Sequence, residues 1–207
     1  MKKNIVLTQM QLDALSETAS IGVSHSATAL SKMLNKKILI KVPQVSILPL
    51  IEFPKLLETQ SKEDILVGIY FRVLGKASGR ILITYSKDSA LALADVLMKR
   101  PKNFSRMLTA MDQSALEETG TILTAACLNA LADFLEMTFI PSVPQFAFNH
   151  TESLVQSIFD EVKQISEYLV VVESEFIETD NKIKGKFFIF PDANALEVIW
   201  KSIGVKS

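Results

Sequence analysis

The chain has 207 residues, of which 48% are hydrophobic, 22 are basic and 23 are acidic, so its formal net charge is −1. This balance, without a basic cluster, excludes a strong nucleic-acid footprint and a polybasic membrane contact. The apolar content is enough for a sizeable core and argues against disorder. No run of about 18 apolar residues is present, so no membrane-spanning helix is predicted.

Cysteine usage and the N-terminal residues indicate the compartment. Cys127 is the single cysteine, which excludes an internal disulfide and a cysteine-rich zinc site and is typical of a reducing compartment. The segment from Met1 to Asn4 is not followed by a long apolar stretch, so no signal peptide is predicted. These features together predict a soluble cytoplasmic protein.

The chain contains an internal repeat with an offset of 101 positions. Residues 13–43 and 114–144 align without a gap and are identical at ten of 31 positions, where ordinary composition predicts about two. We therefore predict a tandem duplication, with repeat 1 over about 8–100 and repeat 2 over about 111–203, fused into one domain over 1–207. Numbered in the first copy, the identical residues are Ala14, Leu15, Glu17, Thr18, Ile21, Ala29, Leu30, Leu34, Val42 and Pro43.

In repeat 1 the sequence predicts a long helix, three strands and a second helix. The long helix is indicated by apolar residues at helical spacing, and the second helix by Ser86 as its N-cap. Pro49 and Pro54 predict a loop after the first strand. The predicted elements are helix 9–35, strands 37–42, 65–74 and 80–85, and helix 87–99.

Repeat 2 follows the same plan, with an additional helix predicted at 152–165 for which repeat 1 shows no clear equivalent. Hairpin-linked strands favour antiparallel pairing. The predicted fold is therefore α+β: a pseudo-twofold duplicated αβββα repeat, with two long helices packed on a central antiparallel six-stranded sheet. The other predicted elements are helix 111–136, an extended segment 139–148, strands 168–177 and 184–190 around a turn at 178–181, and helix 192–201.

Common catalytic motifs are absent from the sequence. It contains no nucleophile elbow, P-loop, GxGxxG or HExxH motif. His25 has no triad context, and we interpret it as a structural or helix-packing residue. We interpret Cys127 as a buried small hydrophobe rather than a nucleophile, because it shares the apolar side of its helix with Leu116, Leu123, Leu131 and Phe134.

Each long helix carries a glutamate followed three positions later by a hydroxyl residue. The pairs are Glu17 with Ser20 and Glu118 with Thr121, and residues at this spacing are neighbours on one helix face. A single such pair is common by chance, and a polar stripe on one helix is ordinarily a solvated face. The duplicated pair favours a functional site, because a proline also follows each hydroxyl residue by 23 positions.

This spacing resembles the motif of the CheC, CheX and FliY family of chemotaxis phosphatases. In that motif an Asp or Ser precedes a Glu by four positions, an Asn follows the Glu by three, and a proline follows the Asn after 22 intervening residues. The first copy matches with Asp13, Glu17, position 20 and Pro43. The second copy matches with Ser114, Glu118, position 121 and Pro144.

The resemblance implies dephosphorylation of a CheY-type response regulator. In the family, the glutamate contacts the active-site lysine of the receiver, and the asparagine orients the water that attacks the aspartyl phosphate. The receiver supplies Mg²⁺, so no cofactor or metal of the chain's own is expected. A CheD-type receptor deamidase is a further implied partner. The implied catalytic residues are Glu17, Ser20, Glu118 and Thr121, and the implied partner-binding residues are Asp13, Ser24 and Ser114.

Both copies depart from the family at the asparagine, which is Ser20 in one and Thr121 in the other. A hydroxyl can accept and donate hydrogen bonds, but it is shorter than a carboxamide, and a displacement of about 1 Å can cost on the order of 10²-fold in rate. Two functions follow as alternatives: a phosphatase with weak or altered activity, and an inactive CheC-like adaptor that binds a receiver or a CheD-type deamidase. A third is an unrelated ligand or assembly role on the same fold.

Overall fold

The computed structural model describes residues 8–34, 39–40, 44–57, 65–105, 107–178, 181–192, 195–202 and 204. The helices are α1 (Gln9–Leu34), α2 (Phe53–Leu57), α3 (Lys87–Leu97), α4 (Ala110–Leu135), α5 (Thr151–Val162) and α6 (Ala195–Ser202), with a 3₁₀ helix at Leu50–Glu52. The strands are β1 (Leu39–Ile40), β2 (Gln44–Pro49), β3 (Ile65–Gly75), β4 (Gly79–Ser86), β5 (Phe139–Pro141), β6 (Gln145–His150), β7 (Tyr168–Glu178) and β8 (Asn181–Pro191).

The strands form one antiparallel sheet with six positions across it. Its order is β1–β7–β8–β4–β3–β5, with β2 also pairing β7 and β6 also pairing β3. Each outer position therefore holds two short strands in succession. The strand predicted at 37–42 is described only at Leu39–Ile40, and the turn predicted at 178–181 lies partly outside the described residues. β2 continues to Pro49, where the sequence predicted a loop.

The two repeats exchange their outer strands. β2 of repeat 1 pairs with β7 of repeat 2, from Gln44 opposite Glu173 to Pro49 opposite Tyr168. β6 of repeat 2 pairs in the same way with β3 of repeat 1. The strand order reads the same from either edge when the repeats are interchanged, which is the predicted pseudo-twofold arrangement.

The two long helices lie side by side and antiparallel. Gly22 of α1 approaches Cys127 of α4, whereas Ser26, one turn further along α1, donates a hydrogen bond of 2.6 Å to the carbonyl of Leu123. The contacts thus run in opposite directions along the two helices. α4 also packs closely against the sheet: a Cβ at Gly120 would be 2.9 Å from the side chain of Ile69 in β3.

A smaller layer covers the opposite face of the sheet. α5 packs there with α2, and three aromatic rings meet edge-on or stacked between them and the sheet: Phe53, Phe188 and Phe190. The 3₁₀ helix starts at Leu50 and α5 at Thr151, which are equivalent positions. The prediction that the 152–165 helix lacks an equivalent was therefore wrong. A five-residue helix containing Pro54 is too short to show helical periodicity.

Burial confirms some predicted core positions and corrects others. Cys127 is fully buried, as are its neighbours Leu116 and Leu123. Phe134, predicted on the same apolar side, is 45% exposed near the end of α4, although the adjacent Leu135 is buried. His25 is also exposed and does not serve as a packing residue. Within the described residues, no helix is both long and apolar enough to cross a membrane.

Candidate functional site

The seven residues predicted to form the site lie on the solvent-facing side of the two long helices. We call the first group the α1 stripe and the second the α4 stripe. In both, the glutamate is exposed and the hydroxyl residue three positions later is half-buried. The α1 stripe is Asp13, Glu17, Ser20 and Ser24, and the α4 stripe is Ser114, Glu118 and Thr121.

A buried threonine directly after each glutamate fixes the direction in which the stripes face. Thr18 and Thr119 are buried, and their hydroxyls donate to the carbonyls of Ala14 at 2.7 Å and Ala115 at 2.8 Å. Successive residues are about 100° apart around a helix, so the glutamate beside each buried threonine is turned outward. Sequence reasoning missed this role, although the identity of the threonine in both repeats was an available signal.

The structure brings each glutamate together with its own hydroxyl residue but keeps the two stripes apart. The contacts of Gly22 with Cys127 and of Ser26 with Leu123 place the local twofold axis beside Ser24. Ser20 and Thr121 each lie four residues from that axis, on opposite sides, which separates them by about 12 Å along the helices. The chain therefore presents two separate sites rather than one composite site.

Neither glutamate is engaged by another described residue. In the described part of the chain, the carboxylates of Glu17 and Glu118 have no hydrogen bond or ion pair. Neighbouring acidic groups do: Asp13 accepts from Gln9 at 2.8 Å, and Glu117 accepts from Gln113 at 2.9 Å. The glutamates of the two stripes are therefore available to a cation on a partner.

The two hydroxyl residues differ in their hydrogen bonding. The Thr121 hydroxyl donates to the carbonyl of Glu117 at 2.9 Å, so its proton is occupied while its lone pairs remain available. The Ser20 hydroxyl makes no hydrogen bond with the described residues. Since a hydroxyl has one donor and two acceptor positions, both residues can accept a hydrogen bond, and Ser20 can also donate one.

A buried ion pair anchors the start of α4, two residues before the α4 stripe. Asp112 is fully buried and accepts from Arg100 at 2.6 Å and from the backbone N–H of Thr109 at 3.0 Å. Thr109 in turn caps the helix, because its hydroxyl accepts from the Asp112 backbone N–H. Burial by itself would raise the pKa of the Asp112 carboxyl, but the bonds from Thr109 and Arg100 outweigh it and lower that pKa. The N-terminus of the helix is thereby held in one position.

The other reactive groups in the described part of the chain offer no alternative chemistry. Burial raises the pKa of the Cys127 thiol to about 12, with a smaller opposing effect from a hydrogen bond with Ser26. At neutral pH the thiol is therefore protonated and is not a nucleophile. Over the described ranges, no group of three or more His, Cys, Asp or Glu side chains could hold a metal ion. The expectation that Mg²⁺ is carried by a partner stays a prediction.

Comparison with known proteins identifies relatives. The family model of the CheC-like family matches residues 10–47, which include the α1 stripe. CheY-P phosphatase CheC of Bacillus subtilis (strain 168) is 28% identical over 203 residues, which cover 96% of each chain. This range includes both stripes.

Solved structures share the fold. FliY of Thermotoga maritima superimposes with a TM-score of 0.71 at 20% identity, covering 97% of this chain and 98% of that one. A chain of the CheX–CheY–BeF₃–Mg²⁺ complex from Borrelia burgdorferi matches with a TM-score of 0.52 at 20% identity, covering 83% of this chain and 95% of that one. At these identities the likeness establishes the architecture alone.

Proposed function

We propose that this chain, a relative of the CheC-like family, docks on a phosphorylated CheY-type response regulator and dephosphorylates its aspartyl phosphate, with weak or altered activity. One observation carries the proposal. Two outward-facing pairs, Glu17 with Ser20 and Glu118 with Thr121, occupy equivalent positions on adjacent helices, and both glutamates lack a partner among the described residues. The similarity to CheY-P phosphatase CheC, over 96% of both chains, supports the same partner class.

Hydrolysis of an aspartyl phosphate requires a water molecule held in line with the bond that breaks. The water oxygen bonds to phosphorus, the bond from phosphorus to the aspartate oxygen breaks, and the carboxylate leaves. The proton of the water goes to the released phosphate. A water that directs a lone pair at phosphorus has its hydrogens elsewhere, so the positioning group must accept a hydrogen bond.

Ser20 and Thr121 meet that requirement through their oxygen lone pairs. Each stands where the resemblance places the family's water-orienting asparagine, one helical turn beyond the exposed glutamate. The shorter reach of a hydroxyl leaves the water less well held than a carboxamide would, and catalysis by positioning is sensitive to about 1 Å. We therefore expect a lower rate than a carboxamide would give.

The glutamates supply docking rather than chemistry. Glu17 and Glu118 are solvated in the free protein, and a lysine from the receiver would pair with either one as the surfaces close over it. Such a pair strengthens when water is excluded from the interface. Mg²⁺ on the receiver would neutralise charge on the phosphoryl oxygens, and the chain itself contributes no metal ligand to this scheme.

The second candidate is an adaptor that binds the receiver without hydrolysing it. The hydrogen bond from Thr121 to the Glu117 carbonyl favours this for the α4 stripe, because it ties the hydroxyl to its own helix. A CheD-type deamidase remains a predicted alternative partner of such an adaptor. None of the similarities described above bears on that interaction.

The two candidates are separated by removing the hydroxyls while keeping the glutamates. The combined variant Ser20→Ala and Thr121→Val deletes both hydroxyls with little change in shape. If the chain is a phosphatase, this variant should bind the BeF₃-loaded receiver like the wild type. It should dephosphorylate the phosphorylated receiver about tenfold more slowly than the wild type. Equal binding with no acceleration by either protein would identify the adaptor.

A further inference from the structure

The helix face that carries each stripe begins with an exposed methionine. Met10 lies three positions before Asp13, and Met111 lies three positions before Ser114, so each methionine extends its stripe by one helical turn. Met10 is 69% exposed and Met111 is 62% exposed. A large apolar side chain is thus presented to solvent at the same point beside both proposed sites.

The two methionines correspond to each other under the internal repeat. The offset of 101 positions carries Met10 onto Met111, outside the aligned block that begins at Asp13. Methionine accounts for seven of the 207 residues, so a given position matches a methionine by chance about once in thirty. Both methionines are also exposed, which argues against a packing role for either side chain within the fold.

Two more large apolar side chains are exposed shortly before the copy on α4. Phe104 is 62% exposed and Met107 is 73% exposed, immediately before the helix. The buried Asp95 accepts the backbone N–H of Phe104 at 2.9 Å and that of Ser105 at 3.2 Å. The backbone of the segment bearing Phe104 is thereby held against α3.

The distances match the size of a protein–protein interface. Met111 lies seven residues from Glu118 and ten from Thr121, or about 10 and 15 Å along the helix. A partner that buries about 800 Å² of this surface covers a patch with a radius of about 16 Å. A protein that meets the α4 stripe therefore also covers Met111, and the same spacing holds for Met10 and the α1 stripe.

We propose that Met10 and Met111 are apolar anchors through which each stripe seats the receiver domain of the phosphorylated response regulator. This inference rests on the proposed function and adds the affinity-determining contact to it. A flexible thioether side chain adapts to a partner's apolar surface, while the glutamate and hydroxyl remain free for the lysine and the water. The methionines are positioning residues, about 10 Å or more from the reacting atoms.

The test is the affinity of the BeF₃-loaded receiver for the combined variant Met10→Gln and Met111→Gln. Glutamine keeps the length and flexibility of methionine and removes its apolar character. We expect binding about tenfold weaker, which corresponds to about 1.4 kcal/mol. KM for the phosphorylated receiver should rise by a similar factor with kcat unchanged, because the anchors do not touch the reacting groups.

The matched control is Ile51→Gln. Ile51 is 65% exposed but lies in the 3₁₀ helix on the opposite face of the sheet, so its replacement should leave binding unchanged. If the double methionine variant binds the receiver as tightly as the wild type, the anchor role is overturned and the proposed function is not. A wild-type protein that binds no receiver would overturn the proposed function and the anchors together. A wild-type dimer that dissociates in the methionine variant, with receiver binding unchanged, would assign the surface to a second copy of the chain instead.

Discussion

Gly22 and Cys127 meet in a close contact between the two long helices, since a Cβ on Gly22 would lie 2.6 Å from the Cys127 Sγ. Under the internal repeat, Gly22 corresponds to Leu123 and Cys127 to Ser26. Ser26 and Leu123 are themselves joined across the helix pair by a hydrogen bond of 2.6 Å. The symmetry that relates the two repeats therefore exchanges these two contacts. Together the contacts set the position of one stripe relative to the other.

Replacing Gly22 with alanine should destabilise the fold even though alanine favours helix formation by about 1 kcal/mol over glycine. The added methyl group would force the helices apart, and overpacking of this kind costs about 1–3 kcal/mol. We expect Gly22→Ala to lower the free energy of unfolding, measured by urea denaturation. In a Cys127→Ala background, where the sulfur is gone, the same change should cost less. An equal loss in both backgrounds would show that the sulfur contact is not the cause.

Restoring the asparagine should raise phosphatase activity. Ser20→Asn and Thr121→Asn each place a carboxamide where the water-positioning group is proposed, and we expect an increase in dephosphorylation rate of about tenfold or more. Ser157→Asn serves as the control, because Ser157 is exposed on α5, on the opposite face of the sheet, and should give no gain. If the double variant binds the receiver normally but dephosphorylates it no faster than the wild type, the water-positioning group is not the only element that the site lacks.

The glutamates should control docking through their charge. Changing Glu17 and Glu118 together to Gln should weaken receiver binding by about tenfold and reduce its dependence on salt concentration, since an ion pair across the interface is lost. Glu152→Gln with Glu167→Gln removes the same charge elsewhere, at one exposed residue on α5 and one in the turn that follows it. That control should bind like the wild type. Equal weakening in both variants would indicate a general electrostatic effect.

The buried pair of Asp112 and Arg100 should make stability depend on pH. The pKa of Asp112 is lower in the folded than in the unfolded chain, so its stabilisation is fully present above the unfolded value and is lost as pH falls through the folded value. Asp112→Asn should lower the free energy of unfolding by about 3 kcal/mol at pH 7. The difference from the wild type should shrink in urea denaturation at about pH 3. If the difference in free energy of unfolding between wild type and variant does not change with pH, the Asp112 carboxylate is not the source of the pH dependence.

The long helices and the twofold arrangement of the sheet were predictable because they depend on patterns that the sequence shows directly. Helical spacing over 26 residues defines α1 and α4, and the repeat imposes the twofold arrangement of the sheet. α2 was not predictable, because five residues including Pro54 gain their helical form from packing against α5. The separate strand β2 was missed for a related reason. Pairing with β7 holds that segment in a strand, whereas proline by itself indicates a loop.

The candidate site was predictable in its position but not in its hydrogen bonding. Helix phase places Glu17 and Glu118 outward, and their exposure agrees. Whether a hydroxyl bonds back to its own helix depends on its rotamer, which sequence does not specify. The difference between Ser20 and Thr121 could therefore come only from the structure. The exposure of Phe134 was mispredicted because helix phase gives the side of the helix but not how far the neighbouring elements extend around it, and the adjacent Leu135 is the residue they cover.

The most direct measurement is the decay of phosphoryl-aspartate on a co-encoded CheY-type receiver, followed with and without this protein. The proposed function predicts faster decay with the wild-type protein and loss of that acceleration when Glu17 and Glu118 are both changed to Ala. Receiver decay that is the same with and without the wild-type protein, at concentrations where binding is saturated, would contradict the proposed phosphatase activity.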